Sequence, residues 1–274
     1  MVNVTAILTC YNRREKTVNC LRSLVEGNKN INFSFIVVDD NSSDCTVEAV
    51  QELGYNTHII KGNGNLYWCG GMRKGIEYYL STNPDEEDYC LLVNDDVDFF
   101  ENSIENLFLR ISNYNNIVVV GATCDSAGQF TYGLRILRDN HSVWLNYIEP
   151  NVDFIFGDTM NANCVLIRNS ILKNVGNMDS VYTHSLGDYD LGFAITRKGY
   201  KLISSSDYVG ICEGNSIKGT WRDKSLSLKQ RFKLKESPKG SPFKEWWHFL
   251  NKNFGFRKAF IYSISPFIKI FLRR

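Results

Sequence analysis

The sequence predicts an α/β fold with a mostly parallel central sheet and helices on both faces, and three observations carry that expectation. Short β-rich apolar runs alternate with segments of helical period as far as residue 121, the pattern of right-handed βαβ units. Polar residues collect directly after each of the first four apolar runs, at the carboxyl ends of strands where ligands bind in such sheets. A chain of 274 residues with 43% hydrophobic content can also build one large domain around a substantial core.

The first run, VTAILT, is closed by Tyr11, Asn12 and Arg13. It reads as a strand rather than a secretion leader, because no basic segment precedes it and polar residues follow at once; a cytoplasmic location is therefore expected. REKTVNCLRSLVEG then places Val18, Leu21, Leu24 and Val25 on one helical face. The second strand, FSFIVV, runs into Asp39, Asp40, Asn41 and Ser42. Ser43 or Asp44 suits the N-cap of the helix TVEAVQELG, whereas Asp39 and Asp40 come earlier than a cap requires. A carboxylate there can accept hydrogen bonds from a base imide or a ribose hydroxyl.

The third strand, NTHII, leads into GNGNLYWCGGMRKG. This is not a dinucleotide fingerprint, since it follows the third strand rather than the first and lacks the G-x-G-x-x-G spacing. It reads as a loop containing Asn65 and Trp68, with Gly70 and Gly71 opening a helix that carries Arg73 and Lys74, so that exposed amides and a guanidinium approach a phosphate-bearing ligand. A tight turn packed on the sheet is the alternative.

The fourth strand, YCLLV, ends in Asn94, Asp95 and Asp96, with Asp98 two residues on. Carboxylates this close repel one another and lose hydration if buried, so something must repay the arrangement. Mg²⁺ or Mn²⁺ would, because both prefer oxygen ligands and bind through one or two carboxylates plus substrate phosphates. Asp98 is expected to begin the next helix, SIENLFLRI, and NIVVVG completes the first half.

Residues 122–217 are less regular and read as an acceptor-side half added to the nucleotide-binding half. Their clearest helix is DYDLGFAITRKGY, with Leu191, Ala194 and Ile195 at helical spacing and Gly199 as its C-cap. His184, Asp188 and Asp190 sit at its start. Asp188 either complements the helix dipole or deprotonates an acceptor hydroxyl as a general base, and spacing leaves both open.

The net charge of +1 conceals two different surfaces. Residues 1–217 carry 16 Lys and Arg against 27 Asp and Glu, a net of −11, while residues 218–274 carry 15 against 3, a net of +12. The eight cysteines form no CxxC pair and several lie inside apolar runs, so they are expected to be reduced and structural, which argues against a zinc site.

In the order LTCYNR, VVDDNSSD, GNGNLYWCGGMRKG, LLVNDDV and GDYDLGFAITRKGY, the motifs resemble those of the family 2 glycosyltransferases, and within them the rhamnosyltransferase-like branch. The resemblance covers about residues 2–215 and implies the GT-A fold. It further implies transfer of a sugar, rhamnose in that branch, from a nucleotide diphosphate donor with inversion at the anomeric carbon. A divalent cation, Mn²⁺ or Mg²⁺, would bridge the diphosphate.

By that resemblance Thr9, Tyr11 and Asp39 hold base and ribose, and Asn12, Arg13, Asp40, Asn65, Gly70, Gly71, Arg73, Asn94 and Asp95 complete the donor site. The family's Asp-x-Asp falls on Asn94, Asp95 and Asp96, which leaves Asp96 as the metal ligand. Its Glu-Asp pair falls on Gly187 and Asp188, which keeps Asp188 as the base and loses an acceptor contact; Trp68 and Asp190 are further acceptor-side candidates. Relatives place a histidine after the last strand, where Cys212, Glu213 or Asn215 stands here.

Residues 218–274 form a basic extension after a catalytic domain at 1–217. Its lysines and arginines are interleaved with aromatic residues, and AFIYSISPFI is too short to span a bilayer. Two roles are open: peripheral contact through 222–274 with an anionic membrane that holds a glycan or lipid-linked acceptor, or packing on the catalytic domain or a second copy in a homodimer. Nucleic-acid binding is not expected, since no recognition motif accompanies the charge. A nucleotidyltransferase is disfavoured because CYNRREK contains no glycine, and a non-catalytic nucleotide- or sugar-binding scaffold is the rival from another class.

Overall fold

A computed structural model describes residues 2–111, 113–139 and 141–272. The first half alternates as expected except for the short strand β5: β1 (Val2–Cys10), α1 (Arg14–Gly27), β2 (Ile31–Asp39), α2 (Thr46–Gln51), β3 (Thr57–Lys61), α3 (Tyr67–Ser81), β4 (Tyr89–Val93), β5 (Asp98–Phe99), α4 (Ser103–Ile111) and β6 (Ile117–Cys124). There follow β7 (Phe130–Tyr132), β8 (Leu134–Leu137), β9 (Leu145–Ile148), β10 (Phe156–Gly157), β11 (Thr159–Met160), β12 (Cys164–Arg168), α5 (Asn169–Val175), α6 (Gly187–Arg197) and β13 (Lys201–Ile211). The extension folds into α7 (Leu228–Lys235), a 3-10 turn at Pro238–Gly240, α8 (Phe243–Phe254), α9 (Phe256–Tyr262) and α10 (Ser265–Leu272).

The main sheet runs β10-β13-β6-β12-β4-β1-β2-β3, and a small second sheet runs β11-β8-β9. Strands β3, β2, β1 and β4 are parallel, and the register aligns Cys10 with Asp39 and Asp39 with Lys61. Their carboxyl ends therefore share one edge. β12 enters antiparallel between β4 and β6, so its first residues reach that same edge, where Cys164 pairs with Val93. The boundary expected near residue 121 consequently runs through one continuous sheet. Sequence pattern could not have placed β12, because a short, fully buried apolar run carries no sign of strand direction.

Two expectations are corrected here. Asp98 does not begin a helix: it lies in β5 and pairs with Ile211 of β13. Gly70 and Gly71 do not precede α3 but lie inside it, buried. A Cβ on Gly71 would sit 2.7 Å from the Thr9 Cβ and closer still to its hydroxyl, and one on Gly75 would meet Ile7. The glycine run thus lets α3 lie close on β1. Gly71→Ala is expected to destabilise the protein by about 1–3 kcal/mol, because overfilled contacts push side chains and backbone apart; a lowered Tm in thermal unfolding checks this.

Hydrophobic cores fill both faces of the sheet. A third cluster joins Cys69, Tyr182, Leu186 and Phe193 of the sheet-bearing part of the chain to Phe249, Leu250 and Ala259 of the extension. The ion pairs point the same way, since Lys252 of α8 bonds Asp179 and Asp190 at 2.9 and 2.7 Å. Packing on the acidic domain, one of the two roles left open for the extension, is therefore what α8 does.

Candidate functional site

The edge formed by the ends of β1, β2, β4 and β12 holds most of the candidate residues, and the Asn-Asp-Asp motif is its centre. Arg13, just beyond β1, donates to Asp95 at 2.8 Å and to Asp96 at 3.0 Å, so a guanidinium offsets the carboxylate repulsion. Asp95 is almost wholly buried, and desolvation pushes its carboxyl up to about 6 against the pull of Arg13. Thr17 donates to its second oxygen at 3.5 Å. Asn94 faces the other way, accepting a 2.7 Å bond from the indole N–H of Trp68.

Asp96 keeps some exposure, with Arg13 on one oxygen and the Cys212 thiol donating to the other at 3.6 Å. Of Cys212, Glu213 and Asn215, the three residues that stand where a histidine is expected, Cys212 is the one in contact with Asp96. Burial and then Asp96 push its thiol up to about 12, and sulfur is a soft donor where Mg²⁺ or Mn²⁺ prefers oxygen. Among the described residues no group of three or more His, Cys, Asp or Glu side chains is disposed to hold a metal. The donors fit a divalent cation only in its minimal form, with Asp96 as the protein ligand and the diphosphate and water supplying the rest.

Around this centre several expected contacts have become structural ones. Thr9 donates to the Val38 carbonyl at 3.0 Å and lies under Gly71. Asp40 accepts from the amides of Gly64, Leu66 and Tyr67 at 2.8, 2.9 and 3.1 Å, which fixes the glycine-rich loop and caps α3. Asn12 ties the β1 end to the β2 end through Ser42 and Ser43. The Gly70 amide is turned to the Thr183 carbonyl, and Arg73 donates to the carbonyls of Asp179 and Tyr182 at 3.3 and 3.1 Å. The expected phosphate cradle at Gly70, Gly71 and Arg73 is thus a clamp on the 177–184 loop. Asp39 bonds the Ser42 amide at 3.0 Å, while Tyr11 and Asn65 are exposed at the rim.

Asp188 opens α6 on the far side of α3. Its oxygens accept from the Tyr189 amide at 2.9 Å and from Asn161 at 3.4 Å, and Arg135 holds Asn161 in turn at 3.1 Å. Desolvation raises the Asp188 carboxyl above the usual range, although Arg135 stands near. Gly187 packs on Cys69 of α3 so closely that a Cβ would lie 2.6 Å from the sulfur, which leaves no room for the glutamate expected there. Asp190 is elsewhere: it is buried under α8, bonded to Lys252 and Asn253, and is not an acceptor contact. Asn215 is exposed, and only its amide is engaged, by Tyr132.

Sequence reasoning missed Arg135, Asn161 and Lys239. The pair NAN ahead of Cys164 was a signal for Asn161, since polar residues at the start of a buried strand mark its end of the sheet. Lys239 had none. It stands with Arg13 close enough to His184 that, after burial, the two hold that ring down to about 4, neutral at pH 7. The His184 Nδ1 is buried without a hydrogen-bond partner among the described residues, and its ring meets Tyr67 edge-on at 6.1 Å.

The model of the glycosyl transferase family 2 matches residues 5–176. Among solved structures, GalNAc-T7 with UDP, GalNAc and Mn²⁺ superposes at a TM-score of 0.60 with 11% identity over 97% of this chain, which spans 56% of that one. The mannosyltransferase PcManGT from Pyrobaculum calidifontis, with GDP-Man and Mn²⁺, gives 0.55 and 12% over 98% of this chain and 81% of its own. S. aureus TarS 1–349 with UDP-GlcNAc gives 0.57 and 16% over 98% and 81%. These likenesses establish the fold. No curated protein matches the sequence.

Proposed function

The chain belongs to glycosyl transferase family 2, and from that premise we propose that it transfers a sugar, with inversion, from a nucleotide diphosphate donor to a hydroxyl of a glycan or lipid-linked acceptor. The observation that carries this reading is the pairing of a basic, carboxylate-lined edge at Arg13, Asp95 and Asp96 with a separate desolvated carboxylate, Asp188, across the start of α3. Rhamnose as the sugar and bacterial surface polysaccharide as the product are the branch's expectation, and dTDP-rhamnose is the first donor to test.

In this reading Asp39, Tyr11 and Asn65 bound the nucleoside side of the edge, and Asn94 and Asp95 are fixed behind it by Trp68 and Arg13. A divalent cation held at Asp96 would supply charge neutralisation for the departing diphosphate. Arg13 lends positive charge to the same place. Asp188 takes the acceptor proton as its oxygen attacks the anomeric carbon, and Asn161 and Arg135 keep the carboxylate in position. No covalent sugar–enzyme intermediate forms.

Because Asp96 alone is a weak anchor, Mn²⁺ is expected to leave the Tm unchanged by itself and to raise it only together with one nucleotide diphosphate. Asp96→Ala should abolish that joint shift. A Tm unmoved by UDP, GDP or dTDP with Mn²⁺, Mg²⁺ or EDTA would sink the donor-site reading. A shift without turnover of any nucleotide sugar would favour the non-catalytic scaffold.

A further inference from the structure

The basic extension divides into a side that faces the catalytic domain and a side that faces away from it. On the inner side Glu245 accepts from the Thr183 amide and hydroxyl and Lys252 pairs with Asp179 and Asp190, while Arg231 and Lys235 are buried against carbonyls of the extension itself, those of Ile270 and Ser241. On the outer side Phe256, Phe260, Ile261, Ile264, Ile268 and Phe271 are between 45 and 67% exposed. Ring contacts run along this face, within α8 from Phe243 to Trp247 at 6.2 Å, from α8 to α9 between Trp247 and Phe256 at 5.9 Å, and within α9 from Phe256 to Phe260 at 6.4 Å. Phe232 of α7 meets Phe271 of α10 at 5.1 Å. The result is one apolar ridge, larger in extent than the scattered apolar residues of an ordinary surface.

The same helices present Lys229, Lys233, Lys244 and Arg257 to solvent. Of the three acidic residues in 218–274, Glu245 is turned inward, Asp223 is engaged by Gly219 and Ser225, and Glu236, though exposed, accepts from the Phe243 amide, so the outward charge is mainly positive. We propose that this ridge seats on an anionic bilayer surface, with α8 as the joint that holds the bilayer-facing helices to the catalytic domain. Aromatic and aliphatic side chains on one face with lysine and arginine around them match an interface whose headgroups are negative and whose interior is apolar. A second copy of the chain fits poorly, because an isologous contact would bring the solvent-facing Lys229, Lys233, Lys244 and Arg257 of one copy toward the same residues of the other. Among the described residues no helix is long and apolar enough to cross a membrane, so the contact is peripheral.

The placement deepens the proposed function, on which its biological sense rests. Glu245, two residues after Phe243 at the start of the ridge, bonds Thr183 in the loop that leads into Asp188. A lipid-linked acceptor held at the bilayer would therefore meet the protein on the side of that loop.

The test is co-sedimentation of the full chain with vesicles of phosphatidylcholine, with and without phosphatidylglycerol, at low and high salt. Wild type should sediment with the anionic vesicles, less at high salt, and the triple variant Phe256→Ser, Phe260→Ser, Ile264→Ser should lose at least tenfold in apparent affinity. These side chains are exposed, so the variant should keep the wild-type Tm and any nucleotide-induced shift, which separates lost docking from lost folding. Charge reversal by Lys229→Glu, Lys233→Glu and Lys244→Glu should weaken binding to the anionic vesicles alone. Equal sedimentation of wild type and serine variant, or no binding to either vesicle, would overturn the proposal. So would a dimer in light scattering that the serine variant dissolves. Vesicle binding requires no donor and transfer to a short soluble acceptor requires no vesicle, so either reading can fail without the other.

Discussion

Asp188→Asn is expected to lower the transfer rate by about 10²–10⁴-fold while leaving donor binding intact, the range over which a positioned general base acts. The asparagine keeps the shape and can still accept from the Tyr189 amide, but it cannot take a proton. Stability should not suffer, because the fold already disfavours the ionised carboxyl by desolvation. The pH profile gives a second readout. The active form is the carboxylate, so kcat/KM rises with pH through the Asp188 pKa, and since that pKa is raised, the acid limb should fall above the ordinary aspartate value of about 3.9. Steady-state kinetics with the donor identified by thermal shift would check both. A variant with wild-type turnover would move the base elsewhere, and the buried, neutral His184 would be the next group to test.

Asp190→Ala should do the opposite. Two residues along the same helix, this carboxylate is buried and bonded by Lys252 at 2.7 Å and by Asn253 at 2.9 Å. Removing one member of a buried pair strands the other, which commonly costs about 3–5 kcal/mol. Lys252 is one-third exposed and keeps Asp179, so a loss of about 2 kcal/mol is expected here, which lowers the Tm by roughly 4–8 °C in a chain of this size. The variant should loosen α8 and expose the extension to limited proteolysis. Its residual activity at low temperature should stay near wild type if the extension is not part of the chemistry. The pair Asp188 and Asp190 thus separates catalysis from docking within one turn of helix.

Asp179 strengthens the same junction. Desolvation alone would raise its carboxyl, but hydrogen bonds from Lys252, the Val181 amide and His248 bring it down to about 2. A folded-state pKa below the unfolded one contributes stability that is present above the unfolded value, near 4, and lost as pH falls toward 2. The extension should therefore come loose early in acid unfolding.

The sequence by itself determined the strand and helix alternation of residues 2–111 apart from β5, because period-2 and period-3.6 apolar patterns are local. It also determined which edge is polar, and with it Asp39, Asn94, Asp95 and Asp96 as candidates, whereas only the resemblance to the family's motif singles out Asp188 as a base. What it could not determine is what each side chain faces. Asp40 became a loop cap, Arg73 a clamp and Asp190 a docking residue, since a carboxylate or guanidinium is chosen equally well for a ligand or for buried amides, carbonyls and lysines. Only tertiary structure set Arg13 between Asp95 and Asp96, inserted β12 so that Asn161 reaches Asp188, and split the extension into a packed face and an exposed one. Those are contacts between residues tens of positions apart, and no periodicity in one chain encodes which distant partner will lie within hydrogen-bonding distance.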